Sequence, residues 1–296
     1  MATLREIRRR ISGVKSTQKI TKAMKMVAAA KLRRSQDAVI AARPYARKMK
    51  ELLEHLSAVV DVSTYPLFAQ RPVNRVAIIV VTADRGLCGA FNSNLIRTTV
   101  THIKSHYGDL FDKGHVDLFC IGRKGYDFFN KSRYPIAEKR LGIFAGLKFA
   151  DAQGIARDSV NAFLSGRYDK VDVIYNEFKS VIQQRVAVEQ FLPIPKQQPA
   201  SPAGAEHLSD YIYEPSSSAI VSALVPKHLN FQIWRVLLES SAAEHGARMT
   251  AMENATTNAS DLIKELQLSY NKARQASITK ELLEIVSGAE ALKAAS

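Results

Sequence analysis

The chain has 296 residues, 46% of them apolar, and a formal net charge of +14. It is long enough for one large or two modest domains with a real core. No run of 18 apolar residues and no secretory leader pattern occurs, which predicts a soluble, non-secreted protein. Cys88 and Cys120 stand alone, fit no metal spacing and make no disulfide framework, so they read as two reduced thiols.

The charge is localised. Residues 1–50 hold 15 Lys and Arg against Glu6 and Asp37, a balance of +13, whereas the remaining 246 residues are within one charge of neutral. A first segment this basic calls for an acidic partner: nucleic acid, anionic lipid or an acidic protein surface. Residues 2–60 read as one helix. Leu4, Ile7, Ile11 and Val14 begin an apolar stripe; Ile20, Met24, Val27 and Ala28 continue it with a phase shift; Ala38, Ala42, Tyr45, Met49, Leu52, Leu56 and Val59 finish it. Pro44 is expected to kink or reset the helix. An Arg-rich, acid-poor start can mark an organelle transit peptide, but the stripe continues past residue 50 with no cleavage-like break.

The middle of the chain changes period. Val76–Thr82 is a continuous β-branched run, the mark of a strand buried on both faces. A helix is predicted over 93–107, a strand over 116–122, a short helix over 123–131, a strand near 135–139, a helix over 151–165 and a strand over 170–178. The alternating stretch 181–192 reads as an antiparallel edge strand with Val186, Val188 and Phe191 inward. Strand–helix alternation implies a small, mostly parallel, Rossmann-like α/β domain over 73–192. Residues 193–209 are a Pro-rich linker, and DYIYEPS follows as an extended piece, giving a connecting segment over 193–216.

From about Lys227 to the end, helix formers dominate and proline is absent. Phe231, Trp234, Leu238, Ala242, His245, Met249, Met252, Thr256, Ala259, Ile263, Leu266, Tyr270 and Ala273 recur at steps of three and four, the narrow seam of a coiled coil. The phase then slips, and the stripe resumes at Ile278, Leu282, Ile285, Ala289 and Leu292. A short helix at 217–225 meets Pro226, which starts or bends the long helix. Such a helix would reach about 100 Å at 1.5 Å per residue, too long for a globular domain of this size, so its seam needs a partner. The simplest partner is the first helix. The expected fold is therefore α/β: a long antiparallel two-helix coiled coil made by helices 1–60 and 217–296, plus the Rossmann-like domain. The longer helix should overhang the shorter.

Motifs for chemistry are sparse. The loop DRGLCGAFN follows the first strand, where phosphate cradles occur, but Gly86 and Gly89 match no cradle frame and no P-loop lysine is present. A tight strand-to-helix turn is the better reading. HExxH, GxSxG and CxxC are absent. His102 and His106 could share a metal, but with no third ligand nearby in sequence they read as a solvated face. Neither a catalytic site, a metal site nor a cofactor is predicted. The basic first helix could bind nucleic acid, yet it offers only Tyr45 for stacking in fifty residues and has a seam that pairing must bury. A basic coiled-coil nucleic-acid-binding protein and a nucleotide-dependent α/β enzyme stand as alternative readings.

The run NKARQASITKELLEIVSGAEA at 271–291 contains Ile278, Thr279, Glu281, Glu284, Gly288 and Ala289 at the spacing Ile-Thr-x-Glu-x-x-Glu-x-x-x-Gly-Ala. With IRRRISGVKSTQKITKAMKMVAAAKLRRSQ, TADRGLCGAFN, DYIYEP and ARMTAMENATTNA in order, the chain resembles the family of bacterial F-type ATP synthase gamma subunits nearly end to end. Residues 132–155 and 193–209 match weakly, and Thr257 stands where the family commonly has an acid. The resemblance implies a central rotor shaft that couples rotation of the c-subunit ring to conformational cycling of catalytic beta subunits, with no catalytic residue of its own. Implied partners are the alpha, beta and epsilon subunits, delta in the same complex, and the c ring, with no nucleic acid. Implied localisation is the cytoplasmic side of the bacterial inner membrane, peripheral and held through the ring. By the same resemblance, Lys15, Lys19, Lys22, Met24, Lys25, Arg248, Gln275, Thr279 and Glu281 are expected to face the alpha–beta hexamer. Tyr211, Tyr213 and Glu214 are expected to face the c ring or epsilon. No cysteine-bearing insertion of the chloroplast kind is present, so thiol control of rotation is not implied.

Overall fold

The computed structural model describes residues 3–59, 65–180, 183–195, 214 and 216–294. Ten principal elements follow one another: α1 (Leu4–Val59), β1 (Val76–Val81), α2 (Phe91–Asp112), β2 (Val116–Ile121), α3 (Arg123–Lys131), β3 (Ile136–Arg140), α4 (Phe149–Leu164), β4 (Lys170–Phe178), β5 (Gln184–Leu192) and α5 (Ser217–Ala294). By packing, the chain divides into two compact units: residues up to Val27 with those from Met249 onward, and Ala28–Arg248. Each long helix contributes to both.

In the unit Ala28–Arg248, the five strands form one sheet in the order β3-β2-β1-β4-β5. The first four run parallel, and β5 pairs antiparallel with β4 at the edge. β1 is central and buried along its whole length, which explains its unbroken apolar run. Its alternate side chains serve two cores. Ala77, Ile79 and Val81 pack with Ile155, Ala156 and Phe163 of α4 and with Val225, Leu229, Ile233 and Leu237 of α5. Val76, Ile78 and Val80 pack with Leu95 and Ile103 of α2 and Phe129 of α3. A sheet clothed by helices on both faces is the outcome expected of parallel strands joined by crossovers.

Several boundaries differ from the periodicity reading. The helical path runs on past 107 to Asp112, with a kink at Tyr107 (φ −133°, ψ 21°) that coincides with the expected end, and Gly114 (φ 71°) then turns the chain. On β5, Val186 packs against one core, Phe191 and Ala187 lie in the other, and Val188 is exposed. The expected inward set therefore mixed the two faces of the strand: Val186 and Val188 share one, Ala187 and Phe191 the other, and Val188 lacks cover. α5 begins at Ser217 and continues through Pro226, so no separate short helix precedes it. Pro44 likewise does not end α1. The carbonyl it deprives of a partner, four residues back, belongs to Ile40, an exposed residue whose backbone water can reach.

The first stretch of α1 corrects the expected phase shift. Burial follows Leu4, Ile7, Ile11, Val14, Gln18, Thr21 and Lys25, a regular alternation of steps of three and four. Ile20 and Val27 point outward, each 57% exposed. Within this unit the Thr21 and Thr256 hydroxyls meet at 2.8 Å, and Lys25 Nζ lies 2.6 Å from Glu253 Oε1. The partner helix thus holds polar residues in the seam and turns two large apolar ones out. Paired position numbers add to 277 and 278, an antiparallel register that puts Leu4 opposite Ala273 or Arg274. Cover ends at Ser277, and every side chain from Ile278 to Ala289 is exposed. In the unit Ala28–Arg248 the two helices are also antiparallel: Ser35 and Ser241 hydroxyls lie 3.2 Å apart, and the rings of Tyr45 and Phe231 are 5.1 Å apart.

Candidate functional site

The loop after β1 sits at the carboxyl edge of the sheet, where strand order reverses between β1 and β4. Doubly wound folds hold nucleotides in that crevice. Here α5 fills it: Ala243 and Ala247 pack against Ala83, Cys88 and Phe91. The loop's polar groups are spent inside the chain. The Asp84 carboxylate accepts backbone N–H bonds from Arg123 (3.0 Å), Gly142 (2.8 Å) and Phe144 (3.4 Å), tying together the segments that follow three strands. Asn92 accepts from the Ala83 N–H at 2.9 Å. The Arg248 guanidinium donates to the carbonyls of Arg85 (3.4 Å) and Gly86 (3.2 Å) and pairs with Glu244 at 2.6 Å. So braced, the loop holds Leu87 in left-handed backbone (φ 62°) with its side chain 65% exposed. A non-glycine residue in that region is uncommon and costs about 1–3 kcal/mol unless its surroundings impose it. This is a tight turn, braced by hydrogen bonds from within the chain.

Two polar clusters, the first buried and the second half-buried, escaped the sequence reading. His102 Nε2 lies 3.0 Å from Asp172 Oδ2, and Tyr107 donates its phenol to the same oxygen at 2.6 Å. The acid that His102 lacked nearby in sequence is thus supplied by β4, seventy positions away. His106 is exposed as expected; His102 is not. Among the described residues no group of three or more His, Cys, Asp or Glu is placed to hold a metal. In the second cluster, Arg235 of α5 donates to Glu189 (2.6 Å), Tyr175 (3.0 Å) and Glu239 (3.3 Å), fastening the helix to β4 and β5. Both cysteines are buried, and burial pushes the Cys120 thiol up to about 12, so neither is poised to react.

His245, on the seam beside Arg248 and Lys31, is pushed down to about 4 by burial and by those two cations. The unfolded chain therefore binds a proton that the folded chain refuses as pH falls from about 6.5 to 4. Stability should drop over that window by at most roughly 3 kcal/mol. Glu244, raised by its own burial, works in the opposite direction as it protonates. Urea denaturation at several pH values should show the drop in the natural chain and a flatter profile in His245→Gln.

A family model described as ATP synthase matches residues 3–292. Chains named ATP synthase gamma chain are similar throughout: that of Prosthecochloris aestuarii is 54% identical over 294 residues, 99% of each chain. That of Chlorobaculum tepidum is 55% identical over 297 residues, 99% of this chain and all of the other. The chain belongs to the ATP synthase gamma-chain family. Among solved structures, a central-stalk chain of the Tetrahymena thermophila mitochondrial ATP synthase aligns with a TM-score of 0.58 at 26% identity, covering 80% of this chain and 99% of that one. A chain of the Euglena gracilis mitochondrial ATP synthase F1/c-ring aligns with a TM-score of 0.68 at 20% identity over 98% of this chain and 95% of that one, a likeness of fold. Membership favours the rotor over the nucleic-acid and nucleotide-enzyme readings. No helix among the described residues is long and apolar enough to cross a membrane.

The residues singled out by gamma-chain resemblance fall into distinct settings. Lys15, Lys19 and Lys22 are exposed, and each directly follows a seam residue (Val14, Gln18, Thr21). With Arg5 and Arg8 they form a basic row along one flank of the coil. Met24 is half-buried, and Lys25 is engaged with Glu253. Gln275, Thr279 and Glu281 are exposed on the overhang of α5, with the Thr279 hydroxyl donating to the Gln275 carbonyl at 3.0 Å. Arg248 stands apart: it is buried and holds the Leu87 loop from within. Tyr211 and Tyr213 lie outside the described residues, and Glu214 is exposed. The sequence reading missed Ile20, Met26, Val27 and Leu87 as exposed apolar groups. For Ile20 and Val27 the available signal was their misfit to a strict heptad.

Proposed function

We propose that this gamma-family chain is the central rotor shaft of a proton-translocating F-type ATP synthase. It couples rotation of the c-subunit ring to the conformational cycling of catalytic beta subunits and carries no catalytic residue itself. The observation that carries this reading is the antiparallel pairing of the chain's two ends, fixed by Thr21–Thr256 and Lys25–Glu253, with α5 uncovered beyond Ser277. Two paired helices resist bending and twisting better than one, and an uncovered end is what a surrounding ring of subunits would enclose.

The proposed partners are alpha and beta around the coil, epsilon and the c ring at the α/β unit, and delta in the same complex. The complex lies on the cytoplasmic side of the bacterial inner membrane, with this chain peripheral and attached through the ring. The basic row Lys15, Lys19 and Lys22, with Met24 and Lys25 beside it, faces acidic segments of beta. Gln275, Thr279 and Glu281 make polar contacts to the hexamer; Arg248 acts there through the loop it braces. Tyr211, Tyr213 and Glu214 face the c ring or epsilon. Complementary charge of this kind governs the rate and register of docking more than its final strength.

The test is purification of the complex through an affinity tag on the α/β unit. Alpha, beta and epsilon should copurify, and a chain lacking residues 277–296 should assemble with weakened coupling between proton flow and ATP synthesis. Recovery of the tagged chain without alpha and beta would contradict the proposal.

A further inference from the structure

The overhang of α5 carries an apolar face that is not a remnant of the coiled-coil seam. At about 100° per residue, Ile278, Leu282, Leu283, Ile285 and Val286 fall within an arc of about 160°. Ala289 and Thr279 also lie within that arc, the Thr279 hydroxyl donating to the Gln275 carbonyl, and Lys280, Glu281, Glu284, Ser287 and Gly288 fill the remainder. The last seam residues, Leu266, Tyr270, Ala273 and Ser277, project from the opposite side of the same helix, about half a turn away. The apolar stripe thus changes sides where the cover of α1 ends. A longer α1 would not bury it. Its five large side chains are 49–69% exposed, a contiguous patch of the kind that marks an interaction surface.

We propose that in the free chain this face is covered by the same face of a second copy, the two overhangs lying antiparallel. Charge selects this part of the molecule for self-association. Along the paired coil, Arg5, Arg8, Arg9, Arg10, Lys15 and Lys19 would repel an identical surface. Beyond the level of Leu4 that field ends, and the overhang carries only Lys280, Glu281 and Glu284 among its described side chains up to Ala289. Charge also selects the orientation. Parallel overhangs would set the two clusters Arg5–Arg10 side by side, whereas antiparallel ones keep them at opposite ends. One short helix per copy buries less than a standard interface, so the pair is weak and concentration-dependent. Where the chain is a rotor, as proposed above, the hexamer encloses this same face, and assembly dissolves the pair. Self-association of the free chain does not depend on that reading.

Sedimentation velocity of the full chain, purified without other subunits, tests this. The natural chain should pass from monomer at about 1 µM to mostly dimer at about 100 µM, the range expected of a small apolar interface. Leu282→Glu with Val286→Glu should raise the dissociation constant at least about tenfold, and Ser287→Glu, on the polar face, should leave it unchanged. Both sites are exposed, so helix content by circular dichroism should match the natural chain in each variant. The proposal is overturned by a natural chain that stays monomeric throughout. Open-ended aggregation, or a dimer that Ser287→Glu weakens as much as the double variant does, would overturn it equally.

Discussion

Replacing Gly122 by valine should strongly destabilise the unit Ala28–Arg248. Gly122 closes β2 with φ at 90°, a conformation that L side chains rarely adopt. A Cβ there would stand 2.0 Å from the Thr82 carbonyl oxygen and 2.7 Å from its carbon. Those atoms cannot retreat. The Thr82 N–H donates to the Ile121 carbonyl at 2.8 Å, its hydroxyl donates to the same carbonyl at 3.2 Å, and that hydroxyl accepts from the Gly125 N–H at 2.8 Å. Thr82 directly follows the central strand, so yielding would unseat β1 from β2. Strain of this sort costs upwards of about 4 kcal/mol, a large part of the roughly 5–15 kcal/mol that stabilises a typical domain. Gly142→Ala is the matched comparison. Its φ is 80°, but a Cβ meets nothing within 4 Å, so only the backbone preference, about 1–2 kcal/mol, is lost. Urea unfolding followed by circular dichroism measures both; a Gly122→Val chain within about 1 kcal/mol of the natural one would refute the account of this junction.

The second large effect concerns activity. Reversing Lys15, Lys19 and Lys22 to glutamate together should cut coupled ATP synthesis in membranes at least about tenfold while the chain stays folded. The three are exposed and share one flank, so the substitution turns a positive row into a negative one without touching the seam. Exposed charges away from buried partners contribute little to folding, within about 0.5 kcal/mol each, so thermal unfolding should barely move. Lys104, Lys113 and Lys131 provide the control: all are exposed on the α/β unit, and their reversal changes net charge equally. Its synthesis rate should be close to normal. Equal loss in both variants would show that overall charge, not this row, matters.

What could be read in advance divides along physical lines. The seam of α5 from Phe231 to Ala273 was legible because one side of a helix repeats its own period whatever it packs against. β1 was legible because a strand buried on both faces can carry only apolar side chains. The seam of α1 was misread at Ile20 and Val27 because the register of the partner helix, not local hydrophobicity, sent Thr21 and Lys25 inward. Asp172 gave no warning, nor did the Arg235–Glu189 pair: their partners lie on other elements, at separations no local window spans, and only Arg235–Glu239 has helical spacing. The same holds for Leu87, whose positive φ depends on Arg248 reaching its loop from α5. Of the residues proposed as contacts, Lys15, Lys19 and Lys22 were visible as a charge excess, but their alignment into one row needed the seam to be placed first.

The central claim is that this chain turns inside its complex, and direct observation of rotation tests it. With the alpha–beta hexamer fixed to a surface and a bead attached through a cysteine introduced at Lys104 of the α/β unit, ATP should drive stepwise rotation in one direction. ATP hydrolysis at an undiminished rate with the bead stationary, on complexes shown to contain the labelled chain, would contradict it.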